Sequence, residues 1–175
     1  LVSRWIPQRR RRFTAGIVPH YTQRDDPWVR DLASRLGDGC TVIDVRSSPT
    51  RTIQQIAACD IILSTSLHGV VVADSYGIPA LWDIPRDSLT GGDFKFRDYE
   101  SAASPEGSRR TSFAAITSLR EARELAKPAD RAVVGRLNDA LEDQLDRFRR
   151  DLGRVSPPHQ VFIDQVSGGR FARSR

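Results

Sequence analysis

The chain has 175 residues, of which 39% are hydrophobic and 28% charged, with 12 Gly and 10 Pro, a make-up that describes a globular domain and excludes a disordered or fibrous chain. No apolar run approaches the roughly 20 residues of a membrane-spanning helix, and no signal-peptide pattern opens the sequence, so a cytoplasmic protein is expected. The net charge of +5 does not by itself point to nucleic acid. Lys95 and Lys127 are the only lysines, so Arg supplies nearly all the basic charge, as genome compositional bias would produce.

Residues 1–12 form a basic segment with a dense run at Arg9 to Arg12. No aromatic residues interleave that run, which reads as a solvated or interdomain stretch and not as a nucleic-acid arm. The run FTAGIVP, residues 13–19, predicts a strand that feeds the polar loop HYTQRDD. Asp25 and Asp26 then precede Pro27, a helix entrance, and Trp28, Leu32 and Leu36 place one buried stripe on the helix that Gly37 and Gly39 end.

Cys40 to Val45 predicts a second strand, Thr50 to Cys59 a helix, and Asp60 to Ser64 a third strand. Ser66 to Tyr76 reads as an apolar helix closed by Gly77, and Pro79 to Trp82 as a fourth strand. Strands alternating with helices predict an α/β domain with a parallel sheet covered by helices. Residues 83–111 are expected to be a long loop, Phe113 to Lys127 an amphipathic helix, 128–152 a long helix with an apolar stripe, and 153–175 a flexible tail. Cys40 and Cys59 suit small buried hydrophobes and are too few for a zinc cluster or disulfide framework. No metal is expected.

The segment Ser64-Thr65-Ser66-Leu67-His68-Gly69 joins a parallel strand to a helix, which is where open α/β sheets bind ligands. Amides in a first helical turn lack intrahelical partners and carry the positive end of the helix dipole, so a phosphate or carboxylate is favoured there. Ser64, Thr65 and Ser66 add hydroxyls, and His68 is the best acid/base candidate. The competing explanations are plain N-caps for the hydroxyls and a structural role for the histidine. His20 follows the first strand and reads either as a residue of the same cleft or as an exposed loop residue. His159 receives no role.

The strings SLHGVVVADSYGIPALW and GGDFKFRDY, with GIVPHY and IQQIAACDIILSTSLHG upstream, resemble the C-terminal part of the polysaccharide pyruvyl transferase family, over residues 13 to about 100. The resemblance implies a Rossmann-like half of a glycosyltransferase-B fold, with 13–127 as the donor-binding half-domain and an N-terminal domain missing from a sequence that lacks Met and starts at Leu1. It also implies transfer of the enolpyruvyl group of phosphoenolpyruvate to two hydroxyls of a saccharide acceptor, free or lipid-linked, of an exopolysaccharide or cell-wall glycan precursor. Such work would take place in the cytoplasm or at the inner face of the membrane, with no cofactor beyond the donor substrate. Leu67 and His68 match the motif that contacts phosphoenolpyruvate. Some relatives carry Arg where this chain has Ser66, and Lys95 or Arg97 is the expected source of compensating charge, although surface ion pairs would also explain both. Two other readings stay open: a nucleotide-sugar glycosyltransferase of similar fold, and a non-catalytic interaction module whose partner helix is 128–152.

Overall fold

Four short apolar runs form one sheet. A computed structural model, which describes residues 2–8, 10–85, 92–104 and 107–152, contains β1 (Phe13–Val18), β2 (Cys40–Val42), β3 (Cys59–Ser64) and β4 (Ala80–Trp82). They pair in the order β2-β1-β3-β4, all parallel. The crossovers are α2 (Pro27–Leu36), α3 (Pro49–Ala57) and α4 (Leu67–Ser75), and a short α1 (Val2–Trp5) precedes β1. This is the α/β, Rossmann-like arrangement of a parallel sheet flanked by helices.

Alternation along the strands divides the core in two. Ala15, Ile17, Ile61, Leu63 and Leu81 pack against Val29, Leu32 and Leu36 of α2. Val18, Ile62 and Ala80 pack on the other face against Ile56 and Ala57 of α3 and Ala73 of α4. Helix starts follow local chemistry: Pro27 sits at the first turn of α2, where a missing N–H costs nothing, and the Ser48 hydroxyl accepts a hydrogen bond from the Arg51 N–H at the start of α3. Gly77, at φ +64°, ends the turn after α4 in the left-handed region that glycine tolerates best.

Three elements differ from the sequence expectation. β2 stops at Val42, not Val45, because the Asp44 carboxylate accepts from the Arg46 N–H and begins a turn. The stretch 83–111 is not one long loop, since it contains α5 (Phe94–Ala103). Its buried stripe is Phe96, Glu100 and Ala103, and a glutamate in the middle of that stripe hides the helical period from any hydrophobicity count. The helix expected over 113–127 is confined to α6 (Leu119–Leu125). The Ser118 hydroxyl accepts from the Glu121 N–H while the Glu121 carboxylate accepts from the Thr117 N–H, a reciprocal cap that sets the helix start. Ahead of it, Asp83 accepts from the Phe113 N–H at 2.8 Å, and Phe113 and Ile116 complete the α2-side core from a turn. The tail expected at 153–175 lies outside the described residues, as do 86–91 and 105–106.

The chain divides into two compact units, Leu1–Leu137 and Asn138–Arg175. The sheet and helices α1–α6 belong to the first, and α7 (Arg131–Leu152) runs from the first into the second. No helix among the described residues is long and apolar enough to cross a membrane.

A buried ion cluster fastens α5 to α4. Arg109 donates to both Asp74 oxygens at 2.6 and 3.0 Å and to Glu100 at 3.1 Å, and Tyr99 donates to Asp74 at 2.9 Å. Burial alone would lower the pKa of Arg109, but its hydrogen bonds to Asp74 and the charges of the two carboxylates raise it, so the guanidinium stays ionised. Removing one member of such a cluster strands the others without a counter-charge. We therefore expect Arg109→Met to lose about 3–5 kcal/mol of stability in urea denaturation; a loss below about 1 kcal/mol would show that the cluster contributes no more than an exposed pair does.

Candidate active site

The strand order places the site. From β1 the chain crosses to β2 on one side, whereas β3 and β4 lie on the other, so the connections diverge between the C-terminal ends of β1 and β3. Ligands bind at such a switch point in open parallel sheets. Val18 and Ser64 are register partners, so the loops leaving the two strands emerge side by side and bring His20 beside the Ser64–Gly69 segment.

Two buried hydroxyls join these loops. Thr65 Oγ1 accepts from the His20 N–H at 2.8 Å and donates to Gln23 Oε1 at 2.8 Å. Ser64 Oγ contacts the Val18 and Ser66 carbonyl oxygens at 3.0 and 2.7 Å and accepts from the Ser66 N–H at 3.0 Å. Both residues are 0% exposed. They were expected to touch the ligand; the structure instead places them beneath the site, their hydroxyls already satisfied by neighbours.

The start of α4 remains open. Ser66 is its N-cap residue, yet its side chain makes no capping hydrogen bond. The first intrahelical acceptor, the Ser66 carbonyl, serves the amides of Gly69 and Val70, so the amides of Leu67 and His68 have no helical partner. Gly69 permits the close approach of this turn to the sheet: a Cβ there would collide with Ser64 Oγ and lie 2.8 Å from Val18 Cγ1.

Beside that turn lies a cleft of about 530 Å³, lined by His20, Ser66, His68 and Gly69, with Val18, Ile53 and Val72 among its apolar walls. His68 is exposed and His20 half-buried. His20 Nδ1 lies 2.8 Å from Thr22 Oγ1 and receives the Thr22 N–H at 3.5 Å. An acceptor role for Nδ1 puts the neutral ring's proton on Nε2. Burial, then the charge of Lys95, then that of His68 lower the His20 pKa below its ordinary 6.5. Lys95 on α5 therefore adds positive potential to this region, while its Nζ sits 5.7 Å over the Phe96 ring.

Arg97, offered with Lys95 as a source of charge, is not brought to the cleft. It pairs with Asp93 at 2.6 Å and lines a separate surface depression with Glu100 and Ser108. Tyr21, Ser47 and Thr52 line the cleft without having been anticipated. Ser47 and Thr52 flank the start of α3, and the rule that ligands gather at the C-terminal ends of parallel strands was the signal that could have found the β2 loop.

Comparisons with known proteins show what this chain is similar to. Residues 9–82 match the polysaccharide pyruvyl transferase family model. That span holds His20 and the whole Ser64–Gly69 segment, and leaves Lys95 and Arg97 outside. The pyruvyl transferase resemblance read from the Leu-His-Gly string thus coincides with the elements that build the cleft. The chain is also 36% identical over 89 residues to an uncharacterized protein of Acanthamoeba polyphaga mimivirus, an alignment covering 49% of this chain and 30% of that protein. The chain therefore spans under a third of the length of that relative. No solved structure matches significantly.

Two outcomes follow from the packing and the charge. Gly69→Ala should cost about 1–3 kcal/mol by overpacking, and adding Ser64→Ala should recover part of that cost in a denaturation series; strict additivity would mean that the two positions do not meet. In an NMR titration the His20 ring should show a midpoint below 6.5, and Lys95→Ala should raise it, because less positive charge then opposes the imidazolium. The depressed value means that His20's contribution to stability is present above 6.5 and is lost as pH falls. A midpoint unmoved by Lys95→Ala would remove Lys95 from the cleft's electrostatics.

Proposed function

We propose that this chain is the donor-binding part of a polysaccharide pyruvyl transferase and that the α4 N-terminus holds the anionic groups of phosphoenolpyruvate. The observation that carries the reading is the uncapped first turn of α4 facing a cleft that also contains His20 and His68. Unpaired amides and the helix dipole favour an anion, and nearby imidazoles supply proton donors. The family match supports a transferase acting on a saccharide. The mostly apolar walls suit the donor's methylene carbon and strengthen each charge interaction by excluding water.

The chemistry assigns tasks to this geometry. The methylene carbon of phosphoenolpyruvate takes a proton and becomes a methyl group, which leaves cationic character on C2. One sugar hydroxyl oxygen bonds to C2, the C2–O bond to phosphate breaks, and a second hydroxyl of the same sugar closes the ketal. Of the two hydroxyl protons released, one balances the proton taken up by carbon and the other leaves with phosphate. His68, in the exposed first turn, is the general acid or phosphate ligand. His20, carrying its neutral proton on Nε2, donates to the anion without needing a positive charge. Ser66 and the Leu67 and His68 amides hold the carboxylate or phosphate, and Lys95 adds longer-range attraction.

The test is binding first and turnover second. The 175-residue chain should bind phosphoenolpyruvate in calorimetry more tightly than uridine diphosphate, and His68→Ala should weaken that binding while leaving the unfolding midpoint unchanged. In the full-length protein, supplied with phosphoenolpyruvate and lipid-linked or nucleotide-linked sugars, His68→Ala should slow phosphate release and formation of an acid-labile ketal by about 10²–10⁴-fold. Uridine diphosphate binding without phosphoenolpyruvate binding would transfer the site to a nucleotide-sugar glycosyltransferase. Wild-type turnover by His68→Ala would eliminate the proposed acid.

A further inference from the structure

Helix α7 contains 22 residues, and the Asp130 carboxylate begins it by accepting from the Ala132 and Val133 amides. It has a marked apolar stripe but no buried residue. Within Asn138–Arg175, Leu141, Leu145, Phe148 and Leu152 are between 40 and 60% exposed, and on an ideal helix their directions fall within about 60° of one another. Isolated exposed leucines are ordinary, whereas four on one stripe form a continuous apolar surface.

The order of residues indicates what fits this stripe. About an axis through Leu145, an antiparallel second copy of the helix sets Leu145 opposite itself and brings Leu141 within one residue's rise, about 1.5 Å, of the level of Phe148. The same rotation brings Glu142, on one flank of the stripe, nearly level with Arg149 on the same flank of the second copy, twice by symmetry; Arg149 also donates to Asp146 of its own helix at 3.3 Å, an exposed pair that the second contact would extend. Asp139, Asp143 and Asp146 face away from the seam. The helix is thus self-complementary in apolar contact and in charge, as a two-fold interface requires.

We propose that α7 is a dimerisation helix that pairs antiparallel with α7 of a second copy of this chain. The pairing removes the stripe from water and sets the macrodipoles of the two helices in opposition.

Sedimentation velocity on the 175-residue chain over a range of concentrations tests the pairing. A monomer–dimer equilibrium is expected, with Leu145→Asp weakening association by at least about 10-fold. Glu142→Arg and Arg149→Glu should each weaken it through like-charge contacts, and the double variant should restore it. Helix content by circular dichroism separates loss of pairing from loss of the helix. A chain that stays monomeric throughout overturns the proposal, as does a dimer indifferent to Leu145→Asp or a charge reversal that the double variant fails to rescue.

Discussion

The Thr65 hydroxyl is the point through which the site is assembled. Fully buried, it must be satisfied, and it accepts from the His20 N–H and donates to Gln23, thereby fixing the loop after β1 to the end of β3. Ser64 performs the corresponding task for the turn into α4. Because these hydroxyls are occupied beneath the surface, neither caps the helix, and the Leu67 and His68 amides are left for something else. Polar groups of one short segment thus divide by depth: the buried ones set geometry, and the exposed ones face the cleft.

That division works only on a parallel sheet. Since β1 and β3 are paired with Val18 level with Ser64, their following residues leave the sheet at one height and converge without a long loop. The divergence of the connections at this point opens the space between them, and α3 and α4 wall it with apolar side chains. An anion in such a place meets dipoles and charges in a setting poorer in water than the open surface, where each interaction is screened less.

The sequence was most legible where one local rule decided the outcome. β1, β3 and the helices after Pro27 and Pro49 follow from apolar runs and helix-start chemistry, and the strand-to-helix turn at Ser66 located the cleft. What escaped depended on tertiary partners. Glu100 sits on the buried stripe of α5 because Arg109 neutralises it, which no periodicity could show. Phe113 and Ile116 join the core without a helix because Asp83 holds the backbone in a turn. Ser64 and Thr65 were found for their position but assigned to the ligand, since their inward bonding depends on Val18 and Gln23, which are distant in sequence. Lys95 and Arg97 are two residues apart on one helix, so α5 itself directs them differently, and recognising that required α5 to be seen as a helix.

The buried ion cluster connects this last point to the chemistry. Helix α4 carries His68 in its first turn and Asp74 near its end, and Arg109 bridges Asp74 to Glu100 on α5, five residues beyond Lys95. Lys95 acts on His20 only while α5 keeps its place, and that place depends on an ion pair inaccessible to solvent. The stacked Trp82 and Phe96 rings, at 4.5 Å, fix the same helix from its apolar side. A buried group outside the cleft thereby helps set the proton affinity of one that lines it. The charge balance of the cleft therefore depends on the packing of α5 as well as on the motif at the start of α4.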